Sequence, residues 1–384
     1  MEFSFQRIIG HREMLADKIR MQSYQKAIHE TVQNGDIVCD IGTGSGILAF
    51  FALQAGAKKV YAIEQNEIIE EAKNLAQLNG LDKKIVFLKG RSDKIELPEK
   101  VDVITSELIG YFGLEENLNR FKIDARERFL RPGGNLVPQW LELYLVPVQF
   151  NDFWSDKIGL WNKDFYGLDF SPVKESAAEE RYLVADCANK VVSMAKPALI
   201  SRLDFYKISS IPLSYYAEFT LNKNGHAHGL LGYFKAGLSR NVILSTSHQD
   251  RPTHWRQSFF PFSEPSQVKK DDKICCKVKS IPQGNNVFWQ WEAVILRNGK
   301  RKAEFSHSNF KIDKEILIVG REGFIPVLTE EAKIYRKVIN LCDGERTIEE
   351  ISKTIFAEYP EKYRTVKDAI REIVGIIRGK VKIG

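Results

Sequence analysis

The chain has 384 residues, of which 43% are hydrophobic, 28% charged and 11% aromatic, and this composition excludes a largely disordered protein. The 56 basic and 50 acidic residues leave a net charge of +6, an excess too small to indicate a nucleic-acid partner. Domains usually contain roughly 100–200 residues, so the length predicts two or three of them, and we expect three.

Five cysteines without CxxC spacing indicate neither a disulfide framework nor a zinc site, and no metal is predicted. The N-terminal residues do not have the basic and then apolar pattern of a secretion signal. No run of about 18 apolar residues predicts a membrane span. We therefore expect a cytoplasmic protein.

Residues 11–29 have apolar side chains at helical spacings, which predict an amphipathic helix. Apolar runs that predict strands then alternate with helical stretches at 47–55 and 66–78. The runs are Ile37–Ile41, Val60–Ile63, Ile85–Leu88 and Val101–Thr105. This βαβαβ order predicts a doubly wound, Rossmann-like parallel sheet, and we assign it, with the N-terminal helix, to a domain of residues 1–137.

Beyond residue 137 the apolar period changes to two, as in Leu213–Asn222 and again from Trp289 to Ile295. Such alternation predicts an antiparallel β-barrel or sandwich with one wet face, which we assign to residues 138–317. Residues 172–200 are rich in Ala, Lys and Glu and predict a helical insertion in it.

Residues 318–384 have a third composition, which predicts three short helices. Thr329 precedes the first helix, Thr347 and Glu350 form a capping-box signature for the second, and Val366–Ile377 gives the third. With the strand-like tail Lys380–Ile383, these helices predict a small winged-helix-like domain.

The sharpest motif runs from Asp40 to Gly46, with glycines at positions 42, 44 and 46 immediately after the first strand. Glycines permit a tight turn and the close approach of a ligand. Glu64 ends the second strand, where an acid can accept hydrogen bonds from ribose hydroxyls, and Asp93 follows the third, where its partner would be an adenine amino group. Glycine spacing of this kind disfavours a nicotinamide dinucleotide, and the combination resembles a class I methyltransferase, whose cofactor is S-adenosylmethionine.

Glu107 and Glu116 lie nine residues apart across the glycine-containing loop that follows the fourth strand. If the loop folds back, both carboxylates converge on one point at the sheet edge. A guanidinium group, with five N–H donors and a permanent charge, is the partner that such a pair would hold.

With these motifs, the chain resembles the protein arginine methyltransferases. The match includes His11-x-Glu13-Met14-Leu15-x-Asp17-x-x-Arg20, the glycine loop, Glu64, the double-glutamate loop and Thr253-His254-Trp255. Five motifs in the family's order cover residues 5 to about 315.

The resemblance implies roles residue by residue. Arg20 would bind the cofactor's carboxylate, Glu64 its ribose and Asp93 its adenine. Glu107 and Glu116 would hold the substrate guanidinium, Met14 would line the pocket, and His254, paired with Asp17, would shape it and take part in proton removal. The full set implied to contact the cofactor is His11, Arg20, Asp40, Gly42, Gly44, Gly46, Glu64, Asp93 and Glu107.

Two departures from the family pattern leave the degree of methylation open. Leu108-Ile109 stands where the family commonly has Trp-Met, and the aromatic stretch before the first helix is shortened to Phe3-Ser4-Phe5. Two other classes of function also stay open: a methyltransferase for a different nucleophile, and a non-catalytic binding protein on the same fold. The resemblance further implies a homodimer formed through the insertion at 172–200.

Residues 318–384 are an addition to the usual family length, and they resemble the PqqD-like domains of peptide-modifying enzymes. That resemblance implies capture of the leader segment of a ribosomally made precursor peptide. A DNA-binding winged helix is the alternative, but 13 basic and 11 acidic residues make a weak footprint for a phosphate backbone. A structural or dimer-stabilising role is a further alternative.

Overall fold

The computed structural model describes residues 8–116, 118–185, 187, 190–283, 286–309 and 330–380. The chain forms two compact units, residues 1–311 and residues 312–384, and each is considered by itself. The predicted boundary at 317/318 and the aromatic stretch Phe3-Ser4-Phe5 lie outside the described residues.

The N-terminal region forms two helices, α1 (Ile8–Ala16) and α2 (Lys18–Thr31), where the sequence predicted one. The break lies at Asp17, whose backbone is extended and whose carboxylate accepts a hydrogen bond from the Arg20 amide as the N-cap of α2. Periodicity missed this break because the apolar pattern continues across Asp17.

The predicted parallel sheet is confirmed. Its strands run in the order β3-β2-β1-β4-β5, and every neighbouring pair is parallel. The strands are β1 (Ile37–Ile41), β2 (Lys59–Glu64), β3 (Ile85–Lys89), β4 (Val101–Ser106) and β5 (Leu130–Val137), and the helices between them are α3 (Ile47–Gln54), α4 (Ile68–Leu78) and α5 (Leu118–Arg128). Short 3₁₀ turns at Asp82–Lys84 and Ser92–Lys94 flank β3. Because the strands are parallel, the glycine loop, Glu64 and Glu107 all emerge at one edge of the sheet.

Two antiparallel sheets follow, as the period of two predicted. A seven-stranded sheet has the path β10-β6-β13-β15-β9, with β11 beside β6 and β14 beside β13. A four-stranded sheet has the order β12-β16-β17-β18. The strands are β6 (Trp140–Gln149), β9 (Tyr182–Val184), β10 (Val192–Ser193), β11 (Ala198–Asp204), β12 (Ser214–Thr220), β13 (Gly225–Gly237), β14 (Ile243–Ser245), β15 (Gln257–Val268), β16 (Lys273–Gln283), β17 (Asn286–Arg297) and β18 (Lys300–Ser308).

Residues 151–181, named here the arm, leave the seven-stranded sheet after β6 and return to it at β9. The arm contains α6 (Asn151–Lys157), a 3₁₀ turn (Gly159–Asn162), the two-residue strands β7 (Asp164–Phe165) and β8 (Leu168–Asp169), and α7 (Val173–Ala178). The helical insertion predicted for 172–200 is therefore wrong beyond Ala178. Residues 182–184 pair with β15 instead, because cross-strand pairing outweighs the helix propensity of this segment.

One apolar core runs through the first unit from the parallel sheet into the antiparallel sheets. Trp289, Trp291, Ala293 and Ile295 of β17 are buried in it, as their alternation predicted. Phe112, from the loop after β4, also belongs to this core and packs against Trp289. Since the loop that carries the paired glutamates is anchored in the core, its position is fixed by both sheet systems.

The second unit contains three helices, α8 (Glu330–Leu341), α9 (Ile348–Glu358) and α10 (Val366–Lys380). Thr347 and Glu350 form the predicted capping box at the start of α9. The three helices bury a small core of their own: Ile334, Val338, Ile351, Ile355, Tyr363, Ala369 and Ile373. The predicted strand-like tail lies beyond residue 380, outside the described residues.

Among the described residues, none of the helices combines the length and the apolar character needed to cross a membrane.

Candidate active site

A cavity of about 820 Å³ opens at the carboxyl edge of the parallel sheet. Two walls with different chemistry enclose it. The glycine side consists of the loop 42–46 and Glu64, and the glutamate side consists of Glu107, Glu115 and Glu116 in the loop after β4. Residues of α1 and of β17 complete the lining, so the cavity needs both the parallel and the antiparallel sheets.

The glycine side has a backbone with positive φ angles, a conformation that residues other than glycine adopt only with strain. Gly44 has a φ of +53°, and a Cβ atom added there would lie 2.7 Å from Cε1 of His11. Gly42 has a positive φ as well, and a Cβ would collide with Leu108. Gly46 caps α3 and is packed close to the Phe50 ring, so its role is to begin the helix rather than to line the cavity.

Glu64 is held in the cavity by the loop itself. One of its carboxylate oxygens accepts a hydrogen bond from the Gly44 amide at 3.1 Å, and the other accepts from the Asn66 amide at 2.8 Å. Each oxygen keeps a second lone pair, so the carboxylate can accept hydroxyl donors from a ligand.

Asp40 supports the loop from behind and is not part of the cavity lining. Its carboxylate is fully buried and accepts hydrogen bonds from Thr43 Oγ1 at 2.6 Å and from Thr105 Oγ1 at 2.8 Å. Burial raises the pKa of Asp40 to about 6, although both hydroxyls favour its charged form. The geometry gives this residue a positioning role, in place of the direct cofactor contact implied by the resemblance.

Asp93 lies next to the cavity, but its neighbours Arg91 and Ser92 provide the lining. The Asp93 carboxylate forms an ion pair with Arg91 at 2.9 Å. The adenine contact expected for Asp93 therefore stays a prediction, and it requires the carboxylate to bind a ligand beside this ion pair.

Arg20 and Glu107 form a buried ion pair where the two sides meet. The Arg20 Nε atom donates to Glu107 Oε2 at 2.9 Å, and its Nη2 atom contacts the same oxygen. Arg20 Nη1 also donates to the Met14 carbonyl at 3.2 Å, so the guanidinium is fixed on two sides. The sequence motifs did not predict a contact between Arg20 and Glu107, and the structure brings them into direct contact.

Glu116 has a different environment, because none of the described residues forms a hydrogen bond or an ion pair with it. Burial raises the pKa of Glu116 well above its ordinary value, and the nearby charges of Glu107 and Glu115 act in the same direction. The charge of Arg20, which is paired with Glu107, acts in the opposite direction, so among the described residues Glu116 has a positive charge nearby but none bound to it.

Glu115 organises the loop and was not identified from the sequence. It accepts hydrogen bonds from the Phe112 amide at 3.0 Å and from Trp289 Nε1 at 3.2 Å, and it pairs with Arg181 at 3.3 Å. Trp289 and Arg181 are distant in sequence, so no local pattern could have indicated these contacts.

Asp17 and His254 are in contact, as the resemblance implied. Asp17 Oδ2 accepts hydrogen bonds from the His254 amide and from its Nδ1 atom, both at 2.9 Å. Burial opposes ionisation of Asp17, but the hydrogen bonds from His254 and from the Arg20 amide outweigh it and lower its pKa. Because an ionised carboxylate can only accept, Nδ1 carries the hydrogen and Nε2 is left as the basic nitrogen.

Met14 lines the large cavity. His254 does not line it and instead lines a neighbouring cavity. The adjacent Trp255 is buried and donates from Nε1 to the Ile109 carbonyl at 2.7 Å. Its role is therefore to hold the double-glutamate loop.

A second residue missed by the sequence reasoning is Lys122 on α5. Its side chain is only 1% exposed, and its Nζ atom contacts Ser106 Oγ at 3.2 Å, directly before Glu107. Burial lowers the pKa of Lys122 well below its ordinary value.

Two family models match the first unit. One, described as the arginine methyltransferase oligomerization subdomain, matches residues 141–290. The other, described as ribosomal protein L11 methyltransferase (PrmA), matches residues 22–133. The matches fall on the antiparallel and the parallel parts respectively.

Similar proteins extend across both parts. Protein arginine N-methyltransferase 1 of Schizosaccharomyces pombe is 34% identical over 284 residues, which cover 72% of this chain and 83% of that protein. Probable protein arginine N-methyltransferase 1.2 of Arabidopsis thaliana is 36% identical over 256 residues, covering 65% of this chain and 69% of that protein.

Solved structures share the fold. The Trypanosoma brucei PRMT1 enzyme-prozyme heterotetrameric complex with AdoHcy superposes with a TM-score of 0.73 at 23% identity, covering 79% of this chain and 99% of that chain. Protein arginine methyltransferase 10 of Arabidopsis thaliana gives a TM-score of 0.69 at 25% identity, with the same coverage.

Proposed function

Since the chain belongs to the protein arginine N-methyltransferase family, we propose that it transfers methyl groups from S-adenosylmethionine to guanidinium nitrogens of arginine in a protein or peptide. The observation that carries the proposal is the single cavity that joins the glycine loop and Glu64 to the carboxylates Glu107 and Glu116.

The residues on the glycine side fit S-adenosylmethionine. The space above Gly44 that a Cβ would fill is bounded by His11, Glu64 has lone pairs for ribose hydroxyls, and Arg20 provides a cation for a carboxylate. When bound, S-adenosylmethionine supplies a methyl carbon made electrophilic by a positively charged sulfur. Every other requirement of the reaction falls on the side chains of this chain.

Glu107 and Glu116 orient the substrate guanidinium. Its N–H groups donate charge-assisted hydrogen bonds to the two carboxylates, which hold its plane and draw positive charge toward the nitrogens they contact. The remaining nitrogen then keeps more electron density and is the better nucleophile. Positioning of this kind can supply roughly 7–11 kcal/mol of an activation barrier.

Proton removal has two candidate acceptors. Glu116 contacts the guanidinium in this proposal, and its raised pKa makes it a better base than an ordinary carboxylate. His254 has a basic Nε2, but it lines the neighbouring cavity. The location of Glu116 in the large cavity favours it as the first acceptor, with His254 and Asp17 shaping the substrate path.

We propose a homodimer formed through the arm, residues 151–181, in place of the predicted segment 172–200. The arm exposes Tyr166, Leu168, Phe170 and Val173, and Tyr166 is fully exposed. Four large apolar side chains on one small excursion are typical of a contact surface. The match to an oligomerization subdomain over 141–290 supports this interpretation.

For the second unit we propose a leader-peptide docking role, as its resemblance to the PqqD-like domains implied. Its three helices bury a hydrophobic core of their own. The substrate would then be a ribosomally made precursor peptide. The cytoplasmic location, the degree of methylation and its symmetry stay predictions.

The test is mass spectrometry of arginine-containing peptides after incubation with S-adenosylmethionine. A gain of one or two methyl masses on arginine is the expected result. Confirmed cofactor binding by calorimetry without any gain would favour a different methyl acceptor, and absence of both would favour a non-catalytic binding protein. Deleting residues 318–384 should weaken binding of a full precursor far more than turnover of a short peptide.

A further inference from the structure

A second cavity of about 570 Å³ lies beside the catalytic cavity and has four cationic side chains in its lining. We name it the cationic groove. Arg12 and Lys18 come from the junction of α1 and α2, and Arg251 and Arg256 come from the loop before β15. All four are exposed.

The described residues neutralise the charge of the cationic groove only in part. Within the part of the chain that the structure describes, none of the four cations has an ion pair. Of the two carboxylates in the lining, Asp17 is committed to His254 and to the Arg20 amide. Glu13 is the remaining acid, so the groove has an excess of positive charge in a protein whose other charges are largely interspersed.

Helix α1 lies between the groove and the catalytic cavity. Met14 and Leu15 line the catalytic cavity, while Arg12, Glu13 and Ala16 of the same helix line the groove. The groove and the catalytic cavity are therefore neighbours on two faces of one helix.

We propose that the cationic groove binds acidic side chains that flank the target arginine in the substrate peptide, an inference that rests on the proposed function. The target arginine satisfies the carboxylates of the glutamate side, and neighbouring Asp or Glu residues satisfy the guanidinium groups of the groove by forked hydrogen bonds. A substrate with further basic residues at those positions would be repelled. The site thus selects an arginine by its context as well as by its own charge.

The first experiment compares two peptides that are identical except at the positions flanking a single arginine, Asp and Glu in one and Lys in the other. At low salt we expect kcat/KM for the acidic peptide to be about tenfold higher or more, chiefly through KM, and the ratio to shrink as salt rises. Equal values at low salt would overturn the proposal.

The second experiment reverses the groove charge with Arg12→Glu and Arg251→Glu together. The matched control is Lys83→Glu with Lys84→Glu, two exposed residues before β3 at the opposite edge of the sheet. The groove variant should lose or invert the preference, while the control keeps it. A preference that survives in the groove variant contradicts the proposal.

Peptide binding in the presence of S-adenosylhomocysteine, followed by fluorescence anisotropy, separates this proposal from the proposed function. If neither peptide is methylated but the acidic one binds more tightly and the groove variant abolishes that difference, the groove is supported while arginine transfer is not. If a single-stranded oligonucleotide displaces both peptides equally and no preference is found, the groove serves nucleic acid and the proposal fails.

Discussion

Glu64 on the glycine side of the catalytic cavity and Glu116 on the glutamate side lie in opposite environments. On the glycine side, Glu64 accepts two backbone amides, and Asp40 behind it accepts two hydroxyls. On the glutamate side, Glu116 has no such partner among the described residues, and burial together with the charges of two other carboxylates raises its pKa. In the proposed function, the glycine side is therefore already formed before the cofactor binds, whereas the Glu116 carboxylate gains its partner only when the cationic substrate binds.

The largest effect is expected for Glu116→Gln. Loss of a charged acceptor for the guanidinium should lower kcat/KM by about 10²–10⁴-fold, while cofactor affinity measured by calorimetry stays within about twofold. The same change removes a disfavoured buried charge, so the thermal midpoint should rise by a few degrees at neutral pH. A Glu116→Gln variant that keeps its transfer rate would refute the proposal that Glu116 holds the substrate guanidinium.

Glu107→Gln should impair both cofactor binding and methyl transfer. Glu107 contacts Arg20, so we expect weaker cofactor binding by about tenfold in addition to lost transfer. The paired calorimetric and kinetic measurements distinguish the two glutamates. Cofactor affinity as intact as in the Glu116 variant would show that the ion pair does not position Arg20.

The pH dependence of kcat/KM should report the protonation of Glu116. With a raised pKa, Glu116 becomes protonated first as pH falls, so kcat/KM should decrease through that pKa while ionised Asp17 still holds His254. The free energy of unfolding should depend on pH in the opposite direction. The folded protein binds the Glu116 proton more tightly than the unfolded chain does, so stability falls as pH rises through the raised pKa of Glu116. Glu116→Gln should remove that slope in thermal unfolding across pH 4–8. An unchanged slope would assign it to other groups.

The smallest effect is expected for Lys122→Met. Burial lowers the pKa of Lys122, so the unfolded chain binds this proton more tightly and wild-type stability rises with pH toward the ordinary lysine value. The variant should be more stable by about 1–3 kcal/mol at neutral pH and should lack that rise. A destabilised variant with lower kcat but unchanged KM would instead give Lys122 a role in placing the loop at Ser106.

The sequence predicted the features that depend on local pattern. The strand periods, the glycine turn and the capping box at Thr347 identify themselves over a few residues, and most of the site residues predicted from the family motifs line the large cavity. Features that depend on distant contacts were missed. The break at Asp17 depends partly on His254, and Glu115 is held by Trp289, 174 positions away. Lys122 was missed because its burial results from packing around α5 rather than from any periodicity.

The hydrogen bond from Trp255 to the Ile109 carbonyl has a consequence for biosynthesis. All five strands of the parallel sheet are synthesised before residue 140. The wall formed by the glycine loop and Glu64 can therefore assemble early. The substrate loop, however, has to wait for Trp255 and Trp289, because their indole N–H groups hold its carbonyl and its Glu115 carboxylate. The nascent chain can thus acquire its methyl donor site well before it acquires the ability to hold an acceptor, and a fragment ending before β15 would do the first only.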